Sequence, residues 1–109
     1  MVAPATTPPV ATITRKLDSA EIAMMVKQGE QFVAAGDMVA ARVVFQRAAE
    51  AGDAAAAMAL GATYDPLFLA KLSVLGVPAD ADKARGWYQK AKDLGSQEAP
   101  RRLELLANR

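Results

Sequence analysis

Residues 41–52 read ARVVFQRAAEAG, and residues 84–95 read ARGWYQKAKDLG. At this offset of 43, Ala41, Arg42, Phe45, Gln46, Arg47, Ala48, Glu50 and Gly52 face Ala84, Arg85, Tyr88, Gln89, Lys90, Ala91, Asp93 and Gly95. Eight of twelve positions are identical or similar. Two alanine-rich helices share a few matches by composition, but not the aromatic, the Gln and the closing Gly together. The segments before them align at an offset of 32, Gly29 with Gly61 and Phe32 with Tyr64. The two offsets differ by 11, so the second unit carries an insertion between its two helices. Self-similarity on this scale is the mark of a helical repeat.

Working outward, the flanking residues supply helix starts and stops. Asp18 with Glu21 three residues later has the form of a capping box, and Ile22, Met25, Val26, Gly29, Phe32 and Val33 follow at helical spacing. Gly36 ends that helix and Asp37 caps the next, which runs to Gly52 with Val39 or Ala40, Val43, Val44, Ala48 and Ala51 turned toward a core. Asp53 opens an alanine-rich helix that Asp65-Pro66 ends or kinks, because proline lacks the N–H donor and disfavours helix at the residue before it. A short apolar piece, Leu67 to Leu75, leads to Gly76-Val77-Pro78. A fourth helix is expected from about Asp80 to Leu94, and Ser96 caps a last one reaching Ala107. That last helix is expected to turn Leu103, Leu105 and Leu106 inward and Arg101, Arg102 and Glu104 outward. No segment alternates with period two, so strands are not expected. Connections of two or three residues make successive helices antiparallel neighbours.

The repeated residues have a packing logic. Gly29, Gly61, Ala41, Ala84, Ala48 and Ala91 are small where two helices approach closely, and Phe32, Tyr64, Phe45 and Tyr88 fill the space beside them. One hairpin cannot bury both sides of such a surface, so hairpins stack and the last needs a cover. The expected fold is therefore all-α: two antiparallel helix hairpins stacked as a short α-α solenoid with a C-terminal capping helix. The expected organisation is a Pro/Thr/Ala-rich linker over 1–17 and a helical repeat domain over 18–109. Within the domain, repeat one spans 18–52, repeat two 53–95 with the insertion at 65–79, and the capping helix 96–107. The linker suggests one end of a longer protein.

The spacing of Gly29, Phe32, Ala41, Phe45 and Ala48 resembles the tetratricopeptide (TPR) signature. The second unit resembles its longer relative, the Sel-one-like repeat, through Leu60, Gly61 and Tyr64, Gly76-Val77, Asp80, Lys83-Ala84, Trp87-Tyr88, Lys90-Ala91 and Gly95. Two departures stand out: Asp65 to Leu75 replaces the usual tyrosine-to-glycine loop, and the first unit has Val44-Phe45 in place of the Trp-Tyr pair. The resemblance covers about residues 20–107. It implies scaffold or adaptor work, often in bacterial proteins and often beside a catalytic or membrane-bound neighbour.

Composition narrows the chemistry. The 109 residues are 52% hydrophobic and 23% charged, a globular composition sized for one domain. Thirteen Lys+Arg against twelve Asp+Glu leave a net charge of +1, too little field to gather phosphate backbones, so nucleic acid is not an expected partner. There is no Cys and no His. That removes thiolate nucleophiles, imidazole bases and zinc sites of the Cys/His kind. The longest internal uncharged run, Ala54 to Tyr64, is far short of the roughly 20 residues a spanning helix needs, and direct membrane insertion is not expected. Asp80 and Asp82 lack a calcium-type loop of oxygen ligands, and Ser19, Ser73 and Ser96 have no activating base. No cofactor, metal or catalytic residue is assigned, and the chain reads as a non-enzyme.

The candidate partner-binding residues are Arg42, Gln46, Arg85, Gln89, Leu67 and Phe68. The first four recur at matching positions and are expected to point away from the hairpin interior. They either contact a partner's carboxylates or backbone, or serve as solvated helix formers. Leu67 and Phe68, with Leu69, Leu72, Val74 and Leu75, either fold over the hairpin to enlarge a small core or present an apolar patch. Trp87 and Tyr88 read as core. The function expected is a non-catalytic protein–protein interaction module, a scaffold or adaptor in the C-terminal part of a larger bacterial protein, with a protein or peptide partner. The alternative is a structural tail that stabilises or dimerises its parent, an unsatisfied hairpin face stacking on its twin.

Overall fold

The computed structural model describes residues 17–74 and 76–108. The linker expected over 1–17 lies, apart from Leu17, outside the described residues, as do Leu75 and Arg109. The described residues form six helices and no strand: α1 (Ser19–Ala34), α2 (Met38–Glu50), α3 (Ala54–Tyr64), α4 (Pro66–Leu72), α5 (Ala81–Asp93) and α6 (Ala99–Ala107). The described residues are thus all-helical. In sequence order, α1 packs on α2, α2 on α3, α3 on α5 and α5 on α6, with α4 resting on α3.

The helix boundaries follow from carboxylates placed at their starts. Asp18 and Glu21 form the reciprocal capping box of α1. Asp37, Asp53 and Asp80 each accept a hydrogen bond from the backbone N–H three residues on, that of Ala40, Ala56 and Lys83 respectively. Each cap satisfies one of the N–H groups that the first helical turn leaves without a partner. At the other end, Gly52 and Gly95 hold φ of 99° and 104°, the left-handed conformation in which a side chain is strained.

The two units share the same fastening. The Asp37 N–H bonds to the Phe32 carbonyl at 2.8 Å, and at the equivalent place the Asp80 N–H bonds to the Tyr64 carbonyl at 2.8 Å. The next turns match as well, Asp53 N–H to the Ala48 carbonyl at 3.2 Å and Ser96 N–H to the Ala91 carbonyl at 2.8 Å. The insertion therefore leaves and re-enters the second unit at one hydrogen bond. Its ends are held where an uninterrupted turn would place them, so extra residues cost little beyond loop entropy, which grows slowly with length.

Glycine and ring meet in both units. A Cβ added to Gly29 would strike Phe45 at Cε1, Cζ and Cδ1, the last at 2.6 Å. A Cβ added to Gly61 would stand 2.6 Å from Tyr88 Cδ1, 2.7 Å from Cε1 and 3.2 Å from the Ala84 carbonyl. Both rings are fully buried, and Ala41, Ala48, Ala84 and Ala91 are buried beside them. Gly29→Ala and Gly61→Ala are each expected to cost about 1–3 kcal/mol by overpacking. Neither ring can swing aside to make room, because both are enclosed by neighbouring helices. Chemical unfolding followed by circular dichroism checks both.

Helix α3 runs through the middle. Ala56, Ala57, Met58, Leu60, Gly61, Ala62 and Thr63 are all buried, which is why its sequence is apolar on every side and carries no charge. On α2 the covered face is Met38, Ala41, Phe45, Ala48 and Ala49, whereas Val39 and Val43 are 68% and 65% exposed. Of the alternatives Val39 or Ala40, only Ala40 is half-buried, and the expectation that Val43 and Ala51 face the core is corrected, both being exposed. Size, not hydrophobicity, sets the rotation: the ring of Phe45 has to lie over Gly29, and that carries the valines outward.

Candidate functional site

Among the described residues, three concavities share parts of their lining. One, of about 520 Å³, lies among Glu30, Val33, Ala54, Ala55, Met58, Ala59, Ala62, Phe68, Ser96, Glu98 and Arg102, with Phe45 beneath. A second, of about 440 Å³, continues from Glu30 and Ala55 toward Ser19, Ile22, Val26 and Lys27. A third, of about 260 Å³, shares Phe68, Glu98 and Arg102 with the first and adds Asp65, Leu67, Lys71, Arg101 and Leu105. The shared residues join them into a continuous groove over α1, α3 and α6, with α4 along one end. Its middle is apolar, and its charged groups stand toward the ends.

A buried polar cluster sets the shape of the α4–α6 end. Tyr88 donates its hydroxyl proton to Asp65 Oδ2 at 2.7 Å, and both residues are buried. The other carboxylate oxygen of Asp65 accepts the Leu67 N–H at 2.8 Å, so the same side chain caps α4. Arg102 Nη1 donates to the Tyr88 hydroxyl at 3.4 Å, and its Nη2 pairs with Glu98 at 3.3 Å. Burial, then the hydrogen bond and the negative charge of Asp65, push the Tyr88 phenol well above its ordinary value. Tyr88 is therefore held as a neutral donor, and one hydroxyl ties α5 to both α4 and α6. Phe45, its counterpart in the first unit, has no insertion to tie and no hydroxyl.

The residues selected from sequence divide between faces. Arg42 turns back onto the protein: its Nη2 donates to the Thr63 and Pro78 carbonyls, its Nε donates to Thr63 Oγ1, and its guanidinium lies 4.0 Å from the Tyr64 ring centroid. It is a half-buried clamp between α2, the end of α3 and the insertion, which differs from the outward position expected of it. Thr63 is buried and passes its own hydroxyl proton to the Leu60 carbonyl. Gln46 is exposed and bonds Glu50 on its own helix, Arg85 is exposed and pairs with Asp82, and Gln89 is exposed. None of these four lines the groove. Leu67 and Phe68 do, and Leu69 behind them is buried, so the insertion both packs on the body and walls the groove.

Sequence reasoning missed Glu30, Ala55, Met58, Ala59, Ala62, Glu98 and Arg102 as groove residues. A partial signal existed, because a helix with alanine at 54–57, 59 and 62 leaves a low surface between its neighbours. Arg102 and Leu105 also exchange the places expected of them. Arg102 is half-buried on Tyr88, while Leu105 is 44% exposed at the groove edge. The buried hydroxyl and carboxylate draw the guanidinium inward more strongly than helix patterning draws the leucine.

Among the described residues no helix is long and apolar enough to cross a membrane, and no group of three or more His, Cys, Asp or Glu is placed to hold a metal ion. Set against protein-family models, curated proteins and solved structures, the chain finds no match in any of the three.

Proposed function

We propose that this chain is a non-catalytic interaction module of the TPR and Sel-one-like kind, and that the groove over α1, α3 and α6 is its binding surface. The observation that carries the reading is the groove itself: an apolar middle formed by Val33 on α1, Met58, Ala59 and Ala62 on α3, and Phe68 on α4 of the insertion. Binding surfaces are typically concave and mostly apolar with a few polar groups at the margin, as here. The repeated turn bonds and the repeated glycine–ring contacts support the repeat reading from within the chain.

The test is selection of peptides by the full chain from a random 12-residue display library. Retained peptides are expected to lose about tenfold or more in affinity to Ala55→Arg, which sets a long cation on an exposed position shared by two of the concavities. Unchanged circular dichroism shows that the fold survives the substitution. Binding that ignores Ala55→Arg, or a library that yields no peptide, overturns the reading.

A second reading, self-association as a structural tail, is favoured by Val39 and Val43, exposed one turn apart on α2 with neither covered by another helix. Sedimentation decides it, since a monomer at high protein concentration removes this reading.

A further inference from the structure

We infer that the groove takes an apolar peptide segment carrying a carboxylate at one end, seated with that carboxylate between Lys71 and Arg101. The inference rests on the groove reading above and adds the chemistry and the direction of the occupant.

The charges around the cavity between α4 and α6 are unevenly used. Five charged side chains line it: Asp65, Lys71, Glu98, Arg101 and Arg102. Both oxygens of Asp65 are occupied, one by the Tyr88 hydroxyl and one by the Leu67 N–H. Glu98 is paired with Arg102, and Arg102 also reaches the Tyr88 hydroxyl. Among the described residues, the side chains of Lys71 and Arg101 have no hydrogen bond or ion pair. Three cations and two carboxylates leave a net charge of +1, and two of the cations, Lys71 and Arg101, are unpaired.

These two cations suit a carboxylate. Lys71 stands in the last turn of α4 and Arg101 near the start of α6, so they approach the cavity from different elements. A guanidinium grips a carboxylate with two parallel N–H donors, and an ammonium adds a point charge from another direction. A polyanion such as a nucleic-acid backbone fits poorly, because Asp65 and Glu98 line the same cavity and repel a second negative charge. The opposite end of the groove carries Lys27 with Glu30 and Asp53, one cation against two carboxylates, and so does not favour a negative end there. A segment with an apolar stretch and a single acidic end is thereby given one direction: apolar part along α3, carboxylate at α4 and α6.

The peptides selected by the full chain test this, provided that the library displays free C-terminal carboxylates as well as internal Asp and Glu. Expected are peptides in which an apolar run is bounded on one side by Asp, Glu or the terminal carboxylate. The lead peptide should bind the double variant Lys71→Ala, Arg101→Ala about tenfold more weakly, and weaken as salt is raised. The same peptide remade with Gln, Asn or a C-terminal amide should bind wild type about tenfold more weakly and no longer distinguish the double variant. Both side chains are exposed, so the fold should be retained, and a Lys71→Arg, Arg101→Lys variant should bind nearly as wild type. Retained peptides with no acidic end, or acidic peptides bound equally by the double variant, overturn this inference while leaving the groove reading intact. A library that yields nothing overturns both.

Discussion

Tyr88→Ala is expected to lower the free energy of unfolding by about 3–5 kcal/mol, the usual cost of deleting a fully buried aromatic ring. Small domains are stabilised by about 5–15 kcal/mol in total, so this one change removes a large share. Three losses coincide: the ring leaves a void against Gly61, the Asp65 carboxylate loses its donor, and Arg102 loses the hydroxyl that draws it inward. Urea unfolding followed by helical circular dichroism measures the total. A midpoint within error of wild type would remove Tyr88 as the centre of the second unit. Tyr88→Phe separates the contributions, since it keeps the ring and deletes only the hydroxyl, and should cost about 1–3 kcal/mol for the stranded carboxylate. The sign of the pH dependence follows from the raised phenol. Below about pH 10, the ordinary tyrosine value, both folded and unfolded states keep the proton and the stabilisation is complete. Above it the unfolded phenol ionises while the folded one resists, so stability falls as pH rises. Wild type should therefore lose more stability than Tyr88→Phe between pH 9 and about pH 11.

Asp65→Ala is expected to cost about 2–4 kcal/mol, from a buried tyrosine hydroxyl left without an acceptor together with a lost helix cap. The effect should be uneven. Asp65 is the junction between α3 and α4, and α4 packs chiefly on α3, so α4 has little else to hold it when the cap is gone. Hydrogen exchange should rise most over residues 66–74, with α1 and α2 unchanged. Asp65→Asn keeps an oxygen that can accept from either Tyr88 or Leu67 but not from both, and should fall between alanine and wild type. Equal protection of α4 in wild type and Asp65→Ala would mean that the carboxylate does not hold the insertion in place. Because Leu67 and Phe68 wall the groove, peptide binding should weaken together with α4 protection.

How much of this was legible beforehand depends on the residue type. Asp18, Asp37, Asp53 and Asp80 announced helix starts because the capping bond is local: donor and acceptor lie three residues apart, and nothing distant is needed to form it. The pairing of Phe45 and Tyr88 as equivalents was legible for a different reason. A ring over a glycine needs one small and one large residue at matched places, and both units spell that out. The rotation of α2 was not legible from hydrophobicity, because Val39 and Val43 are more apolar than the alanines that displaced them from the core. The insertion was recognised as an insertion, while the helix within it, α4, was not. A seven-residue helix has too little internal cooperativity to announce itself and depends on the cap and the surface beneath it.

Arg42 shows the limit most plainly. Its recurrence as Arg85 placed it among surface candidates, yet the two arginines do different things. Arg42 clamps Thr63, Pro78 and Tyr64, whereas Arg85 pairs with a neighbour on its own helix. Only the first has the end of a neighbouring helix and the returning insertion within reach. A repeat in sequence carries over the backbone position but not the surroundings.

The amino-acid sequence by itself determined every helix but α4, the capped starts, the self-similarity of residues 41–52 and 84–95, and the glycine–ring contacts, since each rests on residues that are near in the chain or matched in size. Tertiary structure alone decided the groove, the inward turn of Arg42 and Arg102, and the Tyr88 hydroxyl that ties three helices through Asp65 and Arg102. Those features join residues from all six helices whose separation in sequence leaves no periodic trace. Their energies come from burial and from the partners that burial enforces, which exist only once the helices have met.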